Sequence, residues 1–193
     1  MALNLKKGGS LNLRKEAPGL SNVIVELAWV SKDKSKVVDL DASALLLGAN
    51  GKMWAEDSIV YYQKGYSTSP DGAVVYGGDD RGGGDEESEE SNEEIKIDLK
   101  RVDSKTQTIM CVITSYSEGA PEHFGKVRSA SARIKNGDTG AVIGECDLAE
   151  DMSGFTSMAM AKLTRDGDNW KFEIVGQGLG KSAIGLEDAI ARY

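Results

Sequence analysis

The stretch Val37-Val38-Asp39-Leu40-Asp41-Ala42-Ser43-Ala44-Leu45-Leu46-Leu47 decides the fold. Val38, Leu40, Ala42, Ala44 and Leu46 recur at every second position, and Asp39, Asp41 and Ser43 occupy the alternate ones. Period two puts the first set on one face of an extended strand and the aspartates on the other. A helix would scatter the aspartates around its axis, and no 3.6-residue apolar stripe is present. The segment is therefore predicted to be a strand with one face in a core.

The same reading extends outward. Val23 to Val30 is apolar on both faces, so a central strand covered on both sides is expected. Glu94 to Lys100 alternates Ile95, Ile97 and Leu99 with Lys96, Asp98 and Lys100. Thr106 to Ser115 places Ile109, Cys111 and Ile113 together, and further runs lie at 127–135, 141–148, 156–165 and 169–175. Asn136 to Gly140 and Asp166-Gly167-Asp168 read as hairpin connections. The 23 glycines and 3 prolines fall between these runs as turn residues do. About nine or ten strands, mostly antiparallel, suggest two packed sheets. At the C-terminus Leu186, Ala189, Ile190 and Tyr193 follow i, i+3, i+4, i+7, a short amphipathic helix expected to begin near Ser182. The predicted fold class is all-β, a β-sandwich of two mainly antiparallel sheets with a short C-terminal helix, in one domain spanning 1–193.

Composition limits the function. Of 193 residues, 40% are hydrophobic and 28% charged, an ordinary globular balance. The net charge of −8 repels phosphate backbones and disfavours nucleic-acid binding. No apolar run approaches the roughly 20 residues of a membrane-spanning helix, and Met1 to Lys7 lacks the pattern of a secretory signal. A cytoplasmic location without membrane insertion is expected. Cys111 and Cys146 are too few for a disulfide scaffold and read as reduced packing groups.

Charge is concentrated. Between Asp79 and Glu94 lie nine carboxylates in sixteen residues, with Arg81 the sole basic residue and Gly77, Gly78, Gly82, Gly83 and Gly84 flanking the first acids. Such a segment is a loop. Part of it, Glu86 to Glu90, reads as a solvated acidic run. Carboxylates among glycines are also what a hard cation needs, since calcium takes six to eight oxygen ligands and glycine lets carbonyls turn inward. Asp39 and Asp41 share a strand face about 6.6 Å apart along the chain. Two carboxylates there repel unless the face is solvent-exposed or something positive sits on it. No cysteine–histidine cluster has zinc-like spacing, and His123 reads as a loop residue.

Other motifs fail. Ala44 stands where an EF-hand loop requires glycine, and Gly180-Lys181-Ser182 lacks the correctly spaced upstream glycine of a phosphate loop. No Ser-His-Asp arrangement is readable, and aromatic residues are too few, at 6%, for a sugar-binding cleft.

Several stretches together carry a family resemblance. They are Leu5-Lys6-Lys7-Gly8-Gly9, Glu16-Ala17-Pro18-Gly19-Leu20, Asp39 to Leu47, Gly78-Asp79-Asp80-Arg81 with Gly83 to Asp85, Phe124 to Arg128, Asp138-Thr139-Gly140, and Trp170-Lys171-Phe172 with Gly176-Gln177-Gly178. In this order the chain resembles the tellurium-resistance TerD family of stress proteins. The resemblance implies a calcium-binding β-sandwich without catalytic activity, holding one or two calcium ions. It implies a cytoplasmic stress role alongside other tellurite-resistance group proteins, some of them membrane-associated. The family's acidic positions carry over to Asp39, Asp41, Asp79, Asp80 and Asp85, and Glu93 matches the last acid before the following strand. The family usually has Asn where Asp80 stands, and a shorter loop than Glu86 to Asn92. Two rival readings remain open at this point, an acidic module docking a basic partner with metal incidental, and a metal-dependent hydrolase.

Overall fold

Every apolar run named above becomes a strand. The computed structural model describes residues 2–33, 38–78, 93–116, 124–148, 153–181 and 185–193. The long strands are β3 (Asn22–Ser31), β4 (Asp39–Leu47), β7 (Glu93–Asp98), β8 (Thr108–Tyr116), β9 (Val127–Asn136), β10 (Val142–Asp147), β11 (Ser157–Asp166) and β12 (Asn169–Gly180). Four strands of two or three residues were not foreseen: β1 (Leu3–Asn4), β2 (Ser10–Asn12), β5 (Ile59–Val60) and β6 (Val74–Tyr76). Helix α1 (Leu13–Glu16) is capped by the Asn12 side chain, which accepts from the Lys15 amide, and α2 (Gly185–Arg192) closes the chain. The expected helix start at Ser182 lies outside the described residues.

The strands form two six-stranded sheets. The first has the order β1-β10-β9-β3-β7-β6, and the second β2-β12-β11-β8-β4-β5. All pairings are antiparallel except β1 with β10. Between the sheets lies one core to which each long strand contributes alternate residues, Val23, Val25, Leu27 and Trp29 from β3 meeting Leu40, Ala42, Ala44 and Leu46 from β4. Both hairpins occur where expected, with Gly140 (φ +74°) and Gly167 (φ +58°) in the left-handed region their turns require.

Two faces differ from expectation. Strand β3 is central, but among the described residues no second layer covers its outer face, where Ile24, Ala28 and Val30 are only half-buried. Lys96 and Lys135 are the cross-strand neighbours of Ile24 on that face, and lysine stems can cover apolar surface while the charge stays in water. The same face holds Glu26, 1% exposed and paired with Lys135. Conversely, the outer face of β4 turns apolar at Leu45 and Leu47, which join Met110, Val112 and Ala159 under α2. Ala189 of α2 is buried there with Leu186 and Tyr193 packed around it, while Ile190 stays 43% exposed instead of completing the stripe.

Candidate functional site

The aspartate strand is held at both ends. Trp29 Nε1 donates to the Val38 carbonyl (2.8 Å), and the Val38 amide donates to Ser31 Oγ (2.9 Å). These bonds tie the start of β4 to the end of β3 across the sandwich. From there the β8 register places Asp39 opposite Tyr116 and Asp41 opposite Thr114. Both aspartates share the outer face of the second sheet, Asp39 half-buried and Asp41 buried. Beyond Asp41 on that face sits Ser43, 1% exposed. The sequence-based placement of Asp39 and Asp41 on one strand face, away from the core, therefore holds.

Strand β5 pairs with β4 only at Ala44 and Leu45, so among the described residues no strand pairs with Asp39–Ser43 on that side. Glu93, the first residue of β7 in the other sheet, fills part of this gap. Its carboxylate accepts from the Ala42 amide through Oε2 and from the Tyr76 hydroxyl through Oε1 (2.5 Å). Glu93 is 1% exposed. It therefore joins β4 of one sheet to β6 and β7 of the other. Burial of a carboxylate is offset here by two hydrogen bonds to the charged form.

This clamp fixes where the acidic segment is rooted. The segment leaves β6 through Gly77, whose amide donates to the Glu94 carbonyl (2.7 Å), and returns at Glu93. Gly77 could not carry a side chain in this position, since a Cβ would stand 2.8 Å from Glu94 Cβ. Gly78 follows with φ +144°. Gly77 thus lies beside Glu94, and the neighbouring Glu93 side chain reaches the amide that follows Asp41. Asp79, Asp80 and Asp85, with Arg81 and Glu86 to Glu90, lie outside the described residues, as does His123. Among the described residues no group of three or more His, Cys, Asp or Glu is arranged to hold a metal. Of the six acids singled out in the sequence, the structure places Asp39 and Asp41 on one face and Glu93 at the adjoining edge.

A cavity of about 290 Å³ opens beside Asp41, lined from β4, β8, the Tyr61–Gln63 segment and α2. Asp41, Ser43, Thr114, Ser115, Tyr62 and Glu187 are among its lining residues. Nothing in the local sequence pattern announced it, because it forms only when α2 folds over β4. Tyr61 donates to Gln63 Oε1 (2.7 Å), and burial together with neighbouring Tyr66 raises its phenol above the usual range, so it remains a neutral donor.

The thiols are packing groups. Burial pushes the Cys111 thiol up to about 12, and burial and then Asp147 raise that of Cys146. Both shifts favour the protonated thiol, as expected of buried packing groups.

Comparison with known proteins agrees with this architecture. The chain is 37% identical to the tellurium resistance protein TerD of Serratia marcescens, over all of this chain and 97% of that protein. It is 35% identical to general stress protein 16U of Bacillus subtilis (strain 168), covering 92% of this chain and 91% of the other. The fold is shared with the crystal structure of a homologue of telluride resistance protein (TerD) from Streptomyces coelicolor A3(2), with a TM-score of 0.67 and 21% identity over 87% of this chain and 98% of that one. The TerD domain family matches residues 1–193, and the chain belongs to that family.

Proposed function

We propose that this protein is a calcium-binding module of the cytoplasmic stress response, linked to tellurite resistance, without catalytic activity of its own. One or two calcium ions are held by Asp39 and Asp41 on β4 together with Asp79, Asp80 and Asp85 of the acidic segment. The observation that carries this reading is the clamp at the edge of β4. Glu93 anchors the end of the acidic segment on the Ala42 amide, the position that follows Asp41. A segment of high negative charge rooted beside a buried aspartate is repulsive in the absence of a counter-charge. The donor chemistry fits calcium, since the side chains available are carboxylates and hydroxyls, with no thiolate or described imidazole at the site. Glu93, the sixth acid of the proposed set, also anchors the segment, since its oxygens accept from the Ala42 amide and the Tyr76 hydroxyl.

The ion's role in this reading is structural, fastening the acidic segment to β4 and presenting a fixed surface to partners. Those partners are other proteins of the tellurite-resistance group, some of them membrane-associated. The names of the relatives, a tellurium resistance protein and a general stress protein, support the cellular context. Among the described residues no helix is long and apolar enough to cross a membrane. The test is thermal unfolding with calcium, with magnesium and with chelator. Binding to the folded form alone stabilises it by about 2.7 kcal/mol at a hundredfold excess over Kd. Calcium should raise Tm, and Asp39→Asn with Asp41→Asn should abolish the shift. Unfolding that is indifferent to calcium would remove the basis of the reading.

A further inference from the structure

The acidic segment is flanked by two side chains that bond to each other. Tyr76 is the last residue of β6 and Glu93 the first of β7, with residues 77–92 between them. The Tyr76 hydroxyl donates to Glu93 Oε1 (2.5 Å). Ile95, in the core, pairs with Tyr76 and lies two places after Glu93, so all three share the inward face of the first sheet. Tyr76 and Glu93 are therefore diagonal neighbours on adjacent strands, a separation that long side chains span.

The donor is firmly held. The Tyr76 ring packs against the core, its amide donates to the Ser67 carbonyl (2.9 Å), and the next amide, of Gly77, donates to the Glu94 carbonyl (2.7 Å). The acceptor is the flexible partner. An unrestrained glutamate samples many rotamers, and ordering it has an entropic cost. With Oε1 held by Tyr76, Oε2 reaches across to the Ala42 amide of β4, the amide that follows Asp41. The Tyr76 hydroxyl thus sets the direction of a carboxylate that stands at the root of the segment and beside the aspartate strand.

We propose that Tyr76 is a positioning residue of the calcium site, which sets calcium affinity through Glu93. The proposal rests on the calcium reading above, in which Glu93 belongs to the acidic set. Hydrogen-bond partners behind a metal-ligating carboxylate fix its orientation, and losing one weakens metal binding about 10–100-fold. A bond that served folding alone would change Tm and leave the affinity of the folded chain where it was.

The test is calorimetric titration of the full chain with calcium, beside thermal unfolding and amide hydrogen exchange of the same proteins in chelator. Tyr76→Phe keeps the ring and removes the donor, and its calcium Kd should rise about tenfold or more over the parent. In chelator its Ala42 amide should exchange faster, while the Leu46 amide, bonded to the Ser58 carbonyl, exchanges as in the parent. Thr106→Val is the control, since it removes the acceptor of the Trp54 Nε1 bond (3.0 Å) away from the aspartates. It should lower Tm in chelator and leave the calcium Kd within about twofold of the parent. A parent-like Kd in Tyr76→Phe, an equal loss of affinity in Thr106→Val, or unchanged exchange at Ala42 would overturn the proposal. A parent that binds no calcium would remove the calcium reading and this proposal together. A parent that binds calcium beside a Tyr76→Phe variant that binds it equally well would remove this proposal alone.

Discussion

Removing the Glu93 carboxylate tests how the two sheets are joined at the edge of β4. In Glu93→Ala the Ala42 amide and the Tyr76 hydroxyl both lose their acceptor in a region where Glu93 is 1% exposed. Hydrogen bonds to a charged group contribute about 1.5–3 kcal/mol each, so the loss is about 3–6 kcal/mol. In a domain of this size about 1 kcal/mol moves Tm by roughly 2–4 °C, so Tm should fall by about 6–24 °C. Glu93→Gln keeps one acceptor oxygen and the same shape, and should cost only about 1–3 kcal/mol. Tyr76→Phe should cost less in the Glu93→Gln background than in the parent, because the two side chains share one bond. The assay is thermal unfolding by circular dichroism in chelator, which removes any contribution of bound calcium. If Glu93→Ala unfolds within about 2 °C of the parent, the clamp contributes nothing and the anchoring argument fails.

Other outcomes follow from the same structure. Lys135→Met leaves Glu26 buried without its partner and should destabilise by about 2–3 kcal/mol, below the roughly 3–5 kcal/mol of a fully buried pair because Lys135 is partly exposed; adding Glu26→Leu should recover most of it in urea unfolding. The Asp71 carboxyl is pushed up by burial, but hydrogen bonds from Ser69, the Asp103 amide and the Ala73 amide outweigh this and hold it below its ordinary range. Its folded value is therefore depressed, so its contribution is present above about pH 4 and is lost as pH falls through the folded value. Asp71→Asn should lower Tm at pH 7 and converge on the parent in strong acid. Cys111 should be inert to an aromatic disulfide reagent at pH 8 in the folded protein and react at once in denaturant, and fast labelling of the native chain would contradict its burial.

Much of the sandwich was legible because long strands with one face in a core must alternate. Strand β4 shows this most clearly, with Leu40, Ala42, Ala44 and Leu46 all in the core. The strands β1, β2, β5 and β6 were invisible because two or three residues are too few to show a period. They exist because neighbours offer them partners, as β12 does for β2. Leu45 and Leu47 carried a signal of cover on the outer face of β4 that only the packing of α2 makes intelligible. Strand β3 misled in the opposite sense, since its apolar outer face is half-buried beside Lys96 and Lys135 without a further layer among the described residues.

The site was legible in part for the same reasons. Spacing alone put Asp39 and Asp41 on one face, whereas Glu93 and Glu94, read as the end of a loop, begin strand β7. Glu93 was singled out, but not what it does, because its amide partner lies 51 positions away along the chain. No local pattern encodes a bond of that kind. The cavity under α2 was hidden likewise, since Ser43 and Glu187 meet only through the tertiary fold.

Calorimetric titration of calcium into the full chain, beside the Asp39→Asn, Asp41→Asn double variant, tests the central claim most directly. The account expects saturable binding of one or two ions by the parent, weakening as pH falls and the carboxylates protonate, and its loss in the double variant. No binding by the parent, or equal binding by the variant, would contradict it.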